Sequence, residues 1–209
     1  MGIFRPTISV VRFGKIVASM WYGNDLRPDL EYRFMIVCPG LPGHPYSRNP
    51  AKLEGLIEKG FVLLYPDYIG TWGSYGKMSW EKCVDTVLQS IEFIKQGRGE
   101  SAYNTSTISW RAKDIILAGG SFGGSVVLVA GAKSKDIRSI ISVAATTNWR
   151  DHSRIPEEPG EPIDELFESI RRGWENLWRI PSKKEWDRLA RGDVDLSPAD
   201  YVEELRDKN

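Results

Sequence analysis

Ile115-Ile116-Leu117-Ala118, Gly119-Gly120-Ser121-Phe122-Gly123-Gly124 and Ser125 to Ala132 (SVVLVAGA) follow one another without interruption. They read as an apolar strand, a turn of glycines around one serine, and an apolar helix. Gly119 to Gly123 fits G-x-S-x-G in the strand-to-helix context that a nucleophile-bearing turn requires. A turn tight enough to push a serine above the sheet brings backbone segments so close that flanking β-carbons would collide, so its neighbours must be glycines. The plainer alternative is a Gly-rich connection that merely packs closely. A dinucleotide fingerprint cannot be laid on GGSFGG, and G-x-x-x-x-G-K-[ST] is absent.

A serine that attacks a carbonyl creates an oxyanion, which needs preorganised donors where the charge develops. One backbone amide is expected from the residue after the serine, Phe122. The other is expected from the loop after an earlier buried strand, here Pro39-Gly40-Leu41-Pro42-Gly43 following Arg33 to Cys38 (RFMIVC). Prolines cannot donate, so Leu41 is the first choice and Gly40 remains open. His44, next in that loop, lies on the oxyanion side of the serine and reads as a pocket-shaping residue rather than a general base.

The remaining chain fits an α/β alternation. Ile8 to Phe13 and Lys15 to Tyr22 read as a hairpin at the edge of a sheet, and Pro50 to Lys59 as a helix capped by Asn49. Phe61 to Tyr65 is a strand and Met78 to Gln96 a helix with apolar residues at helical spacing. Gly97 to Ser109 is polar and turn-prone, and Ile137 to Ala145 is a last buried strand. This predicts a mostly parallel twisted sheet with helices on both faces, formed by residues 1–148. Residues 149–209 change composition, with acidic residues outnumbering basic ones around Trp149, Trp174, Trp178 and Trp186. Helices are expected at Ile163 to Arg179, Lys183 to Arg191 and Pro198 to Arg206, as a helical lid or insertion.

Taken together, CPGLPG at 38–43, YPDYIGTWGSYGK at 65–77, the long helix around Cys83 to Ile94, and GGSFGG at 119–124 resemble the catalytic domain of the prolyl oligopeptidase and acylaminoacyl-peptidase family. They are similar also to the neighbouring dienelactone-hydrolase-like esterases. The resemblance covers most of the chain and implies an α/β-hydrolase fold. It also implies hydrolysis of amide or ester bonds through an acyl-serine, with a histidine base oriented by an aspartate in the order serine, acid, histidine. In such enzymes two further strands carry the acid and the histidine. Here Ser197-Pro198-Ala199-Asp200-Tyr201 is followed by eight residues and no apolar strand, so the C-terminal strands are expected to be missing.

The histidine after the serine is His152, adjacent to Asp151. Sequence neighbours cannot easily both reach Ser121, which makes His152 a lid residue before it is a base. Asp67 reads as a loop-orienting carboxylate, and Asp85 is an acid without a base. Gly40, His44, Tyr68, Gly70, Trp72, Tyr75, Trp149, Trp174 and Trp178 are candidates to shape an apolar acyl or aryl pocket, although aromatic residues at such positions often serve packing alone.

Formal net charge is zero and basic residues are scattered, which argues against nucleic acid or an anionic membrane as partner. No apolar run spans a bilayer and no leader pattern precedes the first strand, so a cytoplasmic location is expected. Cys38 and Cys83 lack ligand spacing, so no metal and no cofactor are expected. The expected partner is a small-molecule ester or peptide substrate. If the sheet ends at Ile137 to Ala145, that apolar edge wants cover: the lid helices, a second copy, or a separate polypeptide carrying the last strands and with them the acid and base. The competing function is a non-catalytic binding or regulatory module that kept the fold, since a serine without a base is a weak nucleophile.

Overall fold

The structure, a computed structural model, describes residues 6–23, 25–43, 54–150, 168, 171–174 and 176–208. Its centre is one eight-stranded sheet in the order β6-β5-β1-β2-β4-β3-β7-β8. The strands are β1 (Thr7–Phe13), β2 (Ile16–Tyr22), β3 (Glu31–Cys38), β4 (Phe61–Pro66), β5 (Arg98–Ser101), β6 (Thr107–Ser109), β7 (Arg111–Gly120) and β8 (Ser139–Val143). β4, β3, β7 and β8 are parallel neighbours, and the other half of the sheet is antiparallel. The sheet is therefore mixed. Its parallel half is the part foreshadowed by the continuous apolar runs, because strands covered on both faces carry no polar alternation.

The β1–β2 hairpin is not at the edge. β2 pairs with β4 (Ala18 opposite Pro66) and β1 pairs outward with β5 (Arg12 opposite Glu100). The segment read as polar and turn-prone supplies β5 and β6, two short strands at that edge. Short polar strands suit an edge because they offer little apolar surface to another chain. They are anchored by Trp110, whose indole donates to the Ile94 carbonyl at 2.8 Å.

Helix α2 (Trp80–Gln96) buries Trp80, Cys83, Val84, Val87, Ile91 and Ile94 and ends at Gly97, which has a φ of 71°. α3 (Phe122–Lys133) is buried nearly all round, as an apolar helix without a polar face must be. Both lie on one face and share a core with Phe34, Ile36, Val62 and Leu64. The short α1 (Glu54–Glu58) covers the other face, where Ile57 packs with Met35, Leu63 and Tyr65. The start of the helix expected at Pro50, with its Asn49 cap, lies outside the described residues.

Trp178, Leu189 and Leu196 are fully buried, and Trp186 nearly so, in the same cluster as α2 and α3. α4 (Lys183–Ala190) is tied to α2 by the Trp80 indole on the Glu185 carbonyl at 2.6 Å and by Arg188 on Glu81 at 2.5 Å. Burial pushes the Glu81 carboxyl up, but the bonds from Arg188 and the backbone outweigh it and leave its pKa lowered. A 3-10 turn (Pro198–Tyr201) and α5 (Val202–Leu205) follow, and Lys208 donates to the Ser134 and Ile137 carbonyls at 2.8 and 2.9 Å, placing a cation at the C-terminal end of α3. Residues 176–208, within the segment 149–209 read as a helical lid or insertion, pack as a layer against α2 and α3. Of the helix expected at Ile163 to Arg179, positions 168 and 171–174 are helical, 176–179 instead form a turn and a bridge to Thr71, and the other positions lie outside the described residues.

β8 is the other edge. Among the described residues nothing pairs with its outer side, and Ile141 and Val143 are 49% and 62% exposed. Ile141→Lys and Val143→Lys are expected to shift stability by no more than about 0.5 kcal/mol, as for other exposed positions. A thermal melt checks this; a loss of several kcal/mol would show that the edge is covered.

Candidate active site

β3 and β7 lie side by side and end level, with Cys38 opposite Gly119. From β3 the chain passes to β4 on one side; from β7 it passes to β8 on the other. The crevice outside the carboxyl ends of two such strands is where open α/β sheets bind ligands. Residues 39–43 leave β3 into it, and Ser121 leaves β7 into it.

Ser121 has φ 52° and ψ −129°, a conformation that non-glycine residues avoid, and its side chain is exposed. The surroundings enforce it. A β-carbon on Gly119 would lie 2.3 Å from the Gly123 carbonyl oxygen, and one on Gly123 would lie 2.5 Å from the carbonyl oxygens of both Cys38 and Pro39. The Ser121 amide donates to the Val143 carbonyl at 2.9 Å, locking the turn to the end of β8. The next residue, Phe122, opens α3, so its amide has no acceptor within the helix. Its ring sits 5.7 to 6.0 Å from those of Tyr68, Trp80, Trp149 and Trp178, which immobilises the backbone beside the serine.

The loop at 39–43 touches this turn: a β-carbon on Gly40 would lie 3.6 Å from that of Ser121 and 3.4 Å from the Gly120 carbonyl oxygen. Leu41 is half-buried against the main core. Residues on either side of Leu41 are held from the segment after β4. The Tyr68 hydroxyl donates to the Pro39 carbonyl at 2.9 Å, and the Trp72 indole donates to the Gly43 carbonyl at 2.6 Å.

The structure sorts the expected pocket residues by depth. Trp72 and Trp174 are half-buried with rings 5.5 Å apart, beside the loop. Tyr68 and Trp178 are fully buried and Trp149 nearly so, because each fills space around Phe122. These three support the site from beneath and do not line an open pocket. Tyr75 is also corrected: it is exposed, its amide bonds the Lys15 carbonyl at 2.7 Å, and its hydroxyl faces Arg12, which places it on the β1–β2 hairpin. Gly70 is a packing position, since a β-carbon there would lie 2.2 Å from the Met78 nitrogen. Asp67 is buried and accepts from the Gly73 amide at 3.2 Å, the loop-orienting role. Asp85 is on the exposed side of α2. His44, Asp151 and His152 lie outside the described residues.

No sequence pattern signals Arg179, whose guanidinium donates to the carbonyls of Trp72, Ser74 and Gly76. Nor does one signal Ala144, which directly follows β8 at a φ of 50°. Backbone carbonyl contacts of this kind depend on which segments meet in space and leave no residue pattern. Cys38 and Cys83 are both buried and not disulfide-bonded, and burial pushes the Cys83 thiol up. A cavity of about 640 Å³ lined by Arg33, Phe61, Asp114, Ile116, Arg138 and Ser139 opens at the opposite end of the strands, remote from Ser121. Among the described residues no side-chain group of three or more potential ligands could hold a metal, and no helix is long and apolar enough to cross a membrane.

A family model described as X-Pro dipeptidyl-peptidase (S15 family) matches residues 15–166, from the hairpin past β8. The chain belongs to the S15 family. A comparison with curated proteins found no significant match. Among solved structures, the alpha/beta hydrolase GrgF from Penicillium sp. sh18 is 17% identical with a TM-score of 0.61, over 95% of this chain and 76% of that one. A Rhizomucor miehei esterase is 13% identical with a TM-score of 0.56, over 96% and 61%. The acylaminoacyl peptidase of Pyrococcus horikoshii is 14% identical with a TM-score of 0.53, over 98% and 31%. At such identities these likenesses show the α/β-hydrolase fold. This S15 chain thus spans three quarters of the first structure and less than two thirds of the other two. S15 membership together with the fold supports a serine-hydrolase type of function.

Proposed function

We propose that this chain carries the nucleophile and oxyanion hole of a serine hydrolase of peptidase or carboxylesterase type, with the base and its orienting acid supplied from outside these 209 residues. The observation that carries the reading is Ser121 itself: exposed, held at φ 52° by close backbone contacts, and standing at the carboxyl ends of β3 and β7. Its hydroxyl oxygen attacks the carbonyl carbon of an ester or peptide and its proton passes to the base. The oxyanion is met by the amides of Phe122 and Leu41, and the leaving group departs with the proton. Water then releases the acid from the acyl-serine. Trp72 and Trp174 border the position of the acyl or aryl group. External supply fits the side of β8 that no described residue pairs with, because Val143 already bonds the serine backbone and a strand added there would end beside Ser121.

The test is labelling with a fluorophosphonate read by intact mass, with and without free imidazole as a substitute base. Imidazole is expected to speed formation of a single adduct about tenfold or more, below the roughly 100- to 10,000-fold of a positioned general base because free imidazole is not held in place, and Ser121→Ala should form none. A folded chain that never labels overturns the nucleophile reading. Fast labelling without imidazole, lost in His44→Ala or His152→Ala, overturns external supply.

A further inference from the structure

We propose that Tyr68 and Trp72 are positioning residues that set the oxyanion-side loop, and that Arg179 holds Trp72 in place to do so. The inference rests on Ser121 being the nucleophile. Residues 39–43 leave β3, and a segment that must present an amide to within a few tenths of an ångström of a developing charge needs fixing on both sides of it. On one side of Leu41 the Tyr68 hydroxyl donates to the Pro39 carbonyl at 2.9 Å, and on the other the Trp72 indole donates to the Gly43 carbonyl at 2.6 Å. Both side chains come from the one segment after β4, so the loop and that segment move as a unit.

Trp72 has a φ of 42°, an uncommon backbone conformation for so bulky a residue. Such a conformation persists only where its surroundings over-determine it, and it clusters at functional sites. The surroundings are residues 177–179. The Trp72 amide donates to the Leu177 carbonyl at 2.9 Å, and Thr71 pairs with Trp178 in an antiparallel bridge. The Arg179 amide donates to the Gly70 carbonyl at 2.9 Å, and its guanidinium reaches the carbonyls of Trp72 at 3.0 Å, Gly76 at 3.2 Å, and Ser74. A planar fork of five donors satisfies three carbonyls of one tight loop, which a lysine cannot reproduce. The path therefore runs from Arg179 to the Trp72 backbone, through the indole to Gly43, and so to the donor at Leu41. In this way the added C-terminal layer is coupled to the rate of the chemical step.

The experiment uses Tyr68→Phe, Trp72→Phe, Arg179→Met and Arg179→Lys in the full chain. Two quantities are read: fluorophosphonate labelling of Ser121 in imidazole, and amide hydrogen exchange of the segment that contains Gly40, Leu41 and Gly43. The limiting labelling rate is expected to fall about 10- to 100-fold in the first three, while the probe concentration giving half that rate stays within about threefold. Exchange at 40–43 should rise in parallel, and Arg179→Lys should recover part of both. Unchanged exchange in Trp72→Phe and Arg179→Met overturns the tie whether or not the serine reacts. Raised exchange with an unaltered labelling rate overturns the catalytic consequence. A wild-type chain that does not label overturns the nucleophile reading instead, a result distinct from either.

Discussion

Gly123→Ala is expected to lose about 3 kcal/mol or more of stability, the upper range for forcing an atom into a packed site, whereas Gly120→Ala should fold nearly as well as the parent. The two glycines flank the same serine and differ in what surrounds them. An added methyl at Gly123 meets two carbonyl oxygens at 2.5 Å, both of them main chain at the end of β3, where the parallel ladder leaves no slack. At Gly120 the nearest atom is the Val143 carbonyl oxygen at 3.7 Å, an ordinary contact. Gly119→Ala should resemble Gly123→Ala, since its methyl would lie 2.3 Å from the Gly123 carbonyl oxygen. Urea melts of the three variants, or soluble yield where folding fails, rank them. Equal stability of Gly120→Ala and Gly123→Ala would mean that the turn is not packed against β3 in this way.

That contrast shows what the sequence made legible. G-x-S-x-G marks Gly119 and Gly123 as the constrained pair and leaves Gly120 free, which is how the β-carbon contacts sort these three glycines. The parallel strands were readable for a related reason: burial on both faces removes polar alternation and leaves apolar runs such as RFMIVC and FVLLY. β5 and β6 were not readable, because an edge strand of three or four polar residues carries no periodicity and depends on the neighbour it meets. Of the two roles open to aromatic side chains near the motif, lining or packing, Tyr68, Trp149 and Trp178 take the second, converging on Phe122. Sequence distance from the serine says nothing about depth beneath it.

The same convergence makes Trp178→Ala the substitution with the largest expected core effect, a loss of about 3 to 5 kcal/mol. Trp178 is fully buried, 6.0 Å from the rings of both Tyr68 and Phe122 and 6.5 Å from Trp80. It belongs to the C-terminal layer, yet the space it fills lies under the turn that presents Ser121. Its indole nitrogen is buried without an acceptor among the described residues. Trp178→Phe therefore gives up volume but no hydrogen bond, removes a polar group that gains nothing from burial, and should cost distinctly less than the alanine. The shape of the melt carries as much as its midpoint. A lid that folds apart from the sheet would melt in its own transition and leave the Phe122 cluster untouched by the change at 178. A layer that shares the core must unfold with it, so Trp178→Ala should lower one cooperative transition seen identically by far-UV and near-UV circular dichroism. Two separable transitions, with only the first moved by Trp178→Ala, would make the C-terminal layer a separately folding unit and break the path from residues 177–179 to the oxyanion loop.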